Sequence, residues 1–428
     1  MNIDMIGRTI RRHRLMDDRG AYEVLLQEAR NSGDTWMVPQ AEIAQWWEAR
    51  QNAGIELRLE AGRLHLSCDL ADAAIQIAGG APVALPTVVD LAGNSDPNPP
   101  TFDRSIPRTD FWLEVLRHLG YGHVKPAPDG TEPTLRCAEV EALLDELHAH
   151  ALQHQRFEPD VLARVREAIV QAHRSVGLPD LRLWPWPVHD RKPYQAALSI
   201  RYDVDKAIVT MPWIHELEDR YGLRSTAYLR PMGLFYGAKE IRHYRKLSGN
   251  HELALHGEFI TTAQQRFGDE AAAARGEKKA LEEVIGSEVF GVCMHGGELR
   301  TNTSPRTRDA VEDAGYTYET MYRNRYYFPL YLPHGDGVRK TLSIGQHFAD
   351  ISVPLEEGFG SVFQAKILEH LAAARDANGV FVLVMHPLYF GVGRYLSHPI
   401  NVWRIAKFVP YFLVNTARMR RGQNYRNV

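Results

Sequence analysis

The chain has 428 residues, 44% of them hydrophobic and 24% charged, with a formal net charge of -3. This composition is typical of a globular protein with enough residues for two domains or one large domain. The small net charge gives no reason to expect a nucleic-acid partner, and no apolar stretch reaches the roughly 18 residues that a membrane span requires.

The cysteines and the first residues both indicate a cytoplasmic protein. Cys68, Cys137 and Cys293 lack the spacing of a metal knuckle or a redox pair, so we expect reduced core residues. The first eight residues contain no continuous apolar stretch, which argues against a secretory signal. We therefore expect the protein to act inside the cell.

Residues 1–187 are predicted to form an N-terminal α+β accessory region. A helix, a short strand and a second helix are expected over residues 21–50. Period-two alternation then predicts a hairpin and two more strands, which make a small antiparallel sheet over about 55–91. The proline-rich residues 92–108 are predicted to form a linker or an ordered surface loop. Helical periodicity returns over about 109–176.

Four histidines on these later helices suggest a metal-binding tract at first sight. They are His148, His150, His154 and His173. Histidines scattered over an amphipathic helix pair are more often solvated or helix-end residues. We favour this second interpretation.

From residue 188 to residue 398 the pattern alternates between strand and helix. The strand candidates are residues 195–202, 225–229, 252–255, 289–294, 316–320, 342–345, 351–353 and 380–385. The helix candidates are residues 207–221, 238–248, 262–285, 304–314 and 360–377. Such alternation predicts a mostly parallel sheet or a (β/α) barrel with helices outside. Active sites of that architecture lie at the carboxyl ends of the strands.

Acidic and imidazole side chains follow several of these predicted strands. Asp203 and Asp205 are two residues apart on one strand, so both should face one cavity, where one could bind a cation and the other transfer a proton. Capping of the following helix is the alternative. His256, His295 and His386 fall at or just past the ends of three other strands. Their recurrence at equivalent strand ends favours a shared site over separate backbone hydrogen bonds.

Three motifs between about residues 195 and 390 resemble the polysaccharide deacetylases, the carbohydrate esterase family with the NodB-homology domain. Arg201-Tyr-Asp-Val-Asp205 is similar to the opening aspartate motif of that family. Asn250-His-Glu-Leu-Ala-Leu-His256 is similar to its Gly-His-Glu-Ile-x-x-His motif, and Val382-Leu-Val-Met-His386-Pro387 to its closing Leu-x-His motif. The resemblance implies an irregular (β/α) barrel and removal of acetyl groups from sugars with one bound divalent metal, commonly Zn²⁺.

Carried over by position, the resemblance implies a role for each of these side chains. Asp203 would be the general base and His386 the general acid, while Asp205 and His256 would be metal ligands. The family usually has a further histidine four residues after His256, where this chain has Ile260.

His295, in the position of the third motif of the family, is the expected replacement for the missing histidine. A carboxylate with two neutral imidazoles is a plausible zinc site that keeps one position open for water. If His295 does not reach the metal, the chain is a weakly metallated or inactive member of the family.

Other residues near the predicted site are given substrate or structural roles. Gly296 and Gly297 suit close approach of the backbone to substrate, where an N–H could hold an oxyanion. His347 lies in a loop-rich stretch and is a candidate substrate contact, with surface placement as the alternative. Arg201 is expected to share a face with neither aspartate and to have a structural role or to lie at the rim of the site.

The two ends of the chain are expected to contact other surfaces. Residues 21–50 are similar to the tail that often follows the last barrel strand in deacetylase chains. We therefore expect them to pack against the barrel or to keep the fold of such a tail, instead of forming a free domain. Residues 399–428 form a basic amphipathic segment. Peripheral contact of residues 401–428 with the inner face of the membrane and coverage of an apolar side of the barrel are the two alternatives.

Together these features predict a metal-dependent sugar de-N-acetylase of surface-polysaccharide (lipopolysaccharide or O-antigen) assembly. Its substrate would be an N-acetylated carbohydrate, either nucleotide-linked or lipid-linked. A catalytically inactive carbohydrate-binding protein of the same fold is the first alternative. A metal-free glycoside hydrolase that uses two acidic residues is the second.

Overall fold

The structure is a computed structural model that describes most of the chain. The described residues are 19–60, 63–90, 110–123, 138–154, 157–175, 180–205, 208–230, 236–295, 303–321, 327–352 and 359–387. Cys137, Gly296, Gly297 and the predicted C-terminal segment 399–428 lie outside these ranges.

Strands and helices alternate through most of the described ranges. The strands are β1 (Thr35–Met37), β2 (Ile55–Glu60), β3 (Arg63–Cys68), β4 (Ala74–Ile77), β5 (Val83–Ala84), β6 (Thr87–Asp90), β7 (Leu181–Leu183), β8 (Val188–His189), β9 (Lys192–Pro193), β10 (Ala196–Val204), β11 (Thr226–Leu229), β12 (Glu252–Gly257), β13 (Gly291–Met294), β14 (Tyr318–Glu319), β15 (Leu330–His334), β16 (Gly337–Ser343), β17 (Phe348–Ala349) and β18 (Val380–Met385). The α-helices are α1 (Arg19–Ser32), α2 (Gln40–Gln51), α3 (Asp110–His118), α4 (Ala138–His154), α5 (Pro159–Ser175), α6 (Met211–Asp219), α7 (Ala238–Arg245), α8 (Phe259–Thr262), α9 (Glu270–Ile285), α10 (Thr307–Asp313) and α11 (Phe359–Ala377).

One curled, mostly parallel sheet dominates the fold. Within the described residues it has ten strands in the order β15-β16-β14-β13-β12-β11-β10-β18-β17, and β1 pairs with the first part of β10. Only the β15–β16 pair is antiparallel among these described strands. The curl lets Arg201 on β10 donate from Nη1 to the carbonyl oxygen of Thr320, just past β14, at 2.7 Å, across three intervening strands. The predicted α/β fold, an irregular (β/α) barrel accompanied by small antiparallel sheets, is confirmed.

The edge strands differ most from the sequence-based prediction. The predicted strand 351–353 is wrong, because β17 ends at Ala349 and a 3₁₀ turn, Asp350–Ser352, follows it. The sequence analysis also missed β15, which contains Pro333. Proline weakens a strand prediction because it donates no ladder hydrogen bond, but an edge strand such as β15 tolerates it.

Helices cover the outer face of the curled sheet. Along β10 the outward side chains Ile200, Tyr202 and Val204 are buried in the same apolar cluster as residues of the surrounding helices. The single helix predicted over residues 262–285 is interrupted, because Gly268 adopts φ +84° after a π-helical turn. Helix α9 then starts afresh with Asp269 as its N-cap, whose carboxylate accepts from the N–H of Ala272.

Aromatic side chains close the inner face of the sheet at the end opposite the carboxyl edge. Trp47 on α2 and Trp186 are fully buried, with ring centroids 5.8 Å apart, and both pack with inward strand residues such as Ala197. Trp186 also donates from Nε1 to the carbonyl oxygen of Asn378 at 2.7 Å. The open end of the curled sheet is therefore the carboxyl-terminal edge of its strands.

Trp186→Ala is expected to destabilise the protein by about 3–5 kcal/mol, the usual cost of truncating a buried tryptophan. The change leaves a cavity beside Trp47 and removes the hydrogen bond to Asn378. Denaturant unfolding followed by far-UV circular dichroism measures the loss. Leu247→Ala, at a side chain that is 49% exposed, serves as the control and should change stability by less than about 0.5 kcal/mol. Equal stability of the two variants would contradict this account of the core.

The N-terminal region contributes directly to the large sheet. Thr35 on β1 pairs in parallel with Ala196 on β10, and Arg375 on α11 donates to the Glu28 carboxylate on α1 at 3.1 Å. Residues 21–50 thus contact the barrel, as predicted. The single small sheet predicted over about 55–91 is two three-stranded antiparallel sheets, β2-β3-β6 and β5-β4-β7. A boundary between residues 187 and 188 stays a prediction.

Helices α3, α4 and α5 form a second core that packs on β15. His148 stacks on Phe111 with ring centroids 4.3 Å apart, and His173 uses Nδ1 in a hydrogen bond with the carbonyl oxygen of Ile169. None of the four histidines on these helices belongs to a metal-holding cluster among the described residues. Within the same described ranges, no helix has the length and apolar character needed to cross a membrane.

Candidate metal centre and active site

The five side chains predicted to form the site lie at one edge of the curled sheet. Asp203 is on β10 and Asp205 follows it, His256 is near the end of β12, His295 follows β13 and His386 follows β18. Parallel strands place their carboxyl ends at the same edge. The structure therefore brings all five into one cluster.

Three of these side chains direct ligand atoms toward one point. Nε2 of His256 lies 3.3 Å from Oδ1 of Asp205, and Nε2 of His295 lies 3.6 Å from the same oxygen. The three ligand atoms lie within 4.8 Å of one another. Tetrahedral zinc with bonds of about 2.0–2.2 Å holds its ligands roughly 3.3–3.6 Å apart. The spacing therefore fits a metal ion.

The carboxylate of Asp205 also has the charge and the free lone pairs that a cation site needs. Its Oδ1 is buried and has no hydrogen-bond partner of good geometry among the described residues. Burial alone would raise the pKa of Asp205, but His256 and His295 outweigh it and hold that pKa well below its ordinary value. A buried anionic oxygen is costly unless a positive charge compensates it. Asp205, His256 and His295 are therefore a donor set that suits a divalent ion.

The second ring nitrogen of each histidine in this set has its own partner. Nδ1 of His295 lies 2.9 Å from the Glu258 carboxylate, and Nδ1 of His256 lies 3.0 Å from the Cys293 thiol sulfur. Metal-binding histidines usually donate their other N–H to such a partner, which fixes the tautomer and the ring orientation. Both contacts leave Nε2 facing Asp205.

Arg201 holds the carboxylate of Asp203 from below. Its Nε donates to Oδ1 of Asp203 at 2.7 Å and its Nη2 to Oδ2 at 2.9 Å. The prediction that Arg201 shares a face with neither aspartate is wrong, because residues 201, 203 and 205 have the same parity along a strand. Burial alone would raise the pKa of Asp203, but Arg201 outweighs it and keeps that pKa below its ordinary value. Asp203 is therefore ionised at neutral pH, the protonation state that a general base requires.

Asp350 keeps the imidazole of His386 protonated, whereas Arg201 keeps Asp203 deprotonated. Its carboxylate accepts from Nδ1 of His386 at 2.7 Å and from the backbone N–H of His386 at 2.6 Å. Burial opposes protonation of this imidazole, but Asp350, with Asp203 and Asp205, raises the pKa of His386 to about 9. At neutral pH the ring is therefore an imidazolium that can donate a proton.

Asp350→Asn is expected to move the basic limb of the kcat/KM profile to lower pH by about 1–3 units, because a neutral amide no longer stabilises the His386 imidazolium. The donor is the protonated ring, so activity falls as the pH rises through its pKa. The pH profiles of kcat/KM for wild type and variant measure the shift. Both proteins are loaded with metal, so that the charge of the ion acts on the pKa of His386 equally in both. Asp376→Asn, at an exposed position on α11, is the control. An unmoved basic limb would remove His386 from the role of acid.

One other predicted site residue, His347, is placed outside this cluster, and two, Gly296 and Gly297, lie outside the described ranges. Nδ1 of His347 accepts from the N–H of Val382 at 3.0 Å, and the ring stacks on Tyr327. Val382 lies on β18, four residues before His386, which corresponds to about 13 Å along the extended chain. His347 is therefore not beside His386. Ile260, where the family motif has a histidine, is half-buried on α8. Gly296 and Gly297 are the two predicted site residues outside the described ranges, so their proposed contact with substrate stays a prediction.

A second group of two histidines and a glutamate lies on the outer face of the sheet. His215, Glu218 and His251 have ligand atoms within 4.8 Å of one another. However, the lone pair of His251 Nδ1 accepts from the N–H of Ser225 at 3.0 Å, and the hydroxyl of Ser225 donates to Glu218 at 2.6 Å. These hydrogen bonds account for the group as a buried structural network.

The sequence analysis missed four residues that shape the site. They are Arg230, Glu258, Cys293 and Asp350. Strand parity could have found Glu258, which is two residues after His256, and the end of β11 could have drawn attention to Arg230. Cys293 was expected only as a reduced core residue, and it is a buried thiol in contact with His256.

Several solved structures resemble part of the fold but share little sequence with this chain. A candidate polysaccharide deacetylase from Mycobacterium smegmatis is 17% identical, with 57% of this chain and 97% of that chain covered and a TM-score of 0.36. A candidate polysaccharide deacetylase involved in O-antigen biosynthesis from Bordetella bronchiseptica is 11% identical, with 48% and 75% covered and a TM-score of 0.31. A carbohydrate esterase family 4 pseudoenzyme from Bacillus anthracis is 12% identical, with 49% and 59% covered and a TM-score of 0.28. No family model and no curated protein matches the sequence.

Proposed function

We propose that the protein is a metal-dependent sugar de-N-acetylase. The observation that carries this proposal is the convergence of Asp205, His256 and His295 on one point, with Asp203 and His386 in the same cluster. Similarities with TM-scores below 0.5 add nothing to it. The function is inferred from the residues and from the three sequence motifs.

The chemistry of the five side chains suits hydrolysis of an acetamido group. A divalent ion held by Asp205, His256 and His295 would act as a Lewis acid toward the acetyl carbonyl. Asp203 accepts the proton of the attacking water, because Arg201 keeps it ionised and in position. His386 donates a proton to the departing amine, because Asp350 keeps the ring protonated. A base and an acid are thus present together at neutral pH.

The substrate is proposed from the motif resemblance. An N-acetylated carbohydrate linked to a nucleotide or a lipid, as an intermediate of surface-polysaccharide assembly, would be deacetylated in the cytoplasm. Contact of the basic residues 401–428 with the inner face of the membrane would bring a lipid-linked substrate within reach. An oxyanion contact from the backbone near Gly296 and Gly297 stays part of the proposal.

The pKa values of the two aspartates disfavour the glycoside hydrolase alternative. Such an enzyme needs one carboxyl group that stays protonated as the general acid. Here the neighbouring cations hold the pKa of Asp203 and that of Asp205 below their ordinary values. Neither carboxyl can serve as that acid near neutral pH.

Elemental analysis followed by acetate release tests the proposal against its alternatives. We expect about one equivalent of zinc for each chain and acetate release from at least one member of a panel of N-acetylated sugar nucleotides and glycolipids. His243→Ala, at an exposed histidine on α7, controls for adventitious surface metal and should keep both. Absence of acetate release from the whole panel would support the inactive carbohydrate-binding alternative, and absence of bound metal as well would indicate that the departure at Ile260 destroys the metal site. Acetate release that persists after complete removal of metal would contradict the proposal.

A further inference from the structure

We propose that Glu258 is the positioning residue that makes His295 a metal ligand in place of the histidine absent at position 260. This inference rests on the proposed function and concerns how the metal site is completed. Glu258 directly follows β12, two residues after His256. It therefore starts from the same strand end as a ligand that the family motif already contains.

The contact between Glu258 and His295 fixes the orientation of the imidazole ring. Oε1 of Glu258 lies 2.9 Å from Nδ1 of His295, while Nε2 on the other side of the ring lies 3.6 Å from Oδ1 of Asp205. The side chain of His295 is 38% exposed and comes after the last residue of β13, so packing alone constrains it little. A carboxylate at Nδ1 selects the tautomer whose Nε2 lone pair is available to a metal.

Glu258 also pairs with a cation that lies close to the metal ligands. Nη2 of Arg230 donates to Oε1 of Glu258 at 2.5 Å, and Nη1 of Arg230 lies 3.9 Å from Oδ1 of Asp205. Without Glu258, the nearest carboxylate for this guanidinium would be Asp205. The arginine would then compete with the metal for that oxygen. Glu258 therefore acts on the site in two ways.

The backbone at Glu258 is held by hydrogen bonds to a buried glutamate on α9. The N–H of Glu258 donates to the carboxylate of Glu277 on α9 at 3.1 Å, and the hydroxyl of Thr262 bonds the same carboxylate. Glu277 is buried, at 3% exposure. The turn that carries Glu258 is thus held against α9 by two hydrogen bonds.

Zinc affinity measured by chelator competition tests the inference without relying on turnover. Glu258→Gln keeps the shape of the side chain and removes its charge, and we expect zinc binding about 10–100-fold weaker than in wild type. The visible absorption of the Co²⁺-substituted protein should change as well, because a reoriented imidazole alters the ligand geometry. Glu283→Gln, at a side chain that is 67% exposed on α9, is the matched control and should bind zinc as wild type does.

Two further backgrounds separate positioning of His295 from pairing with Arg230. In a His295→Ala, Arg230→Met background, which removes both contacts of Glu258, Glu258→Gln should weaken zinc binding no further. In an Arg230→Met background, the loss on Glu258→Gln should persist. If Glu258→Gln weakens zinc binding only when Arg230 is present, Glu258 does not act by positioning His295, and the inference is overturned. Glu258→Asp keeps the charge but falls short of the ring, so it should weaken binding even if the glutamine variant folds poorly.

The outcomes for this inference and for the proposed function can be told apart. Wild-type zinc affinity and Co²⁺ absorption in Glu258→Gln would overturn the inference and leave deacetylation standing. Weaker zinc binding in that variant, with no acetate release by wild type from any substrate, would support the inference and remove the proposed function. Failure of the wild-type protein to bind zinc would overturn both.

Discussion

Asp203→Asn is expected to lower kcat by about 10²–10⁴-fold while the bound metal is retained, the usual cost of removing a general base. The amide has the shape of the carboxylate but cannot accept the proton of water. Its oxygen can still accept from Nε of Arg201, but its NH2 group cannot accept the hydrogen bond that Nη2 of Arg201 donates to Oδ2 of Asp203. Steady-state acetate release gives the rate, and elemental analysis gives the metal content.

The same substitution has a stability cost that the experiment must separate from the chemical one. Arg201 is buried at 3% exposure and loses its counter-charge, and breaking such a pair typically costs about 3–5 kcal/mol. Its hydrogen bond to the Thr320 carbonyl oxygen remains and reduces that cost. Circular dichroism at the assay temperature shows whether the variant is folded, and exposed Asp313→Asn is the control. A folded Asp203→Asn variant with wild-type kcat would assign the base to another group.

The strands that carry the site could be predicted because their sequences are locally unambiguous. β18 is a run of six buried apolar residues that ends one residue before His386. β10 is buried along all nine residues and leads to Asp205. Since parallel strands share one carboxyl edge, knowing where each strand ends was enough to group Asp203, Asp205, His256, His295 and His386.

The partners of these residues could not be predicted, because they depend on contacts between distant parts of the chain. Asp350 reaches His386 from a 3₁₀ turn at which the sequence indicated a strand. Arg230 and Glu258 follow the adjacent strands β11 and β12, but their ion pair depends on side-chain orientations that the strand ends alone do not give. The misplacement of Arg201 has a different origin, since strand parity alone places it on the face of Asp203.

His256→Ala is expected to lose metal and activity together. His256 is 2% exposed and its Nε2 lies 3.3 Å from Asp205 Oδ1, so its removal takes away one of the three ligand atoms that converge at the site. Losing a partner that only orients a ligand costs about 10–100-fold in affinity, and losing the ligand itself should cost more. Zinc affinity by chelator competition and acetate release measure the two effects. His386→Ala is the matched control, because it should lose activity and keep the metal.

His295→Ala extends this prediction to the ligand that departs from the family motif. We expect it to weaken zinc binding by more than about 100-fold and to abolish acetate release, because Asp205 and His256 alone leave two ligands, fewer than the three of known catalytic zinc sites. Its ring is 38% exposed, so truncation should leave the fold intact and the loss can be read as a loss of ligand. If the variant keeps full metal occupancy and full deacetylation, the third ligand is a residue other than His295. That residue would then replace the histidine that is absent at position 260.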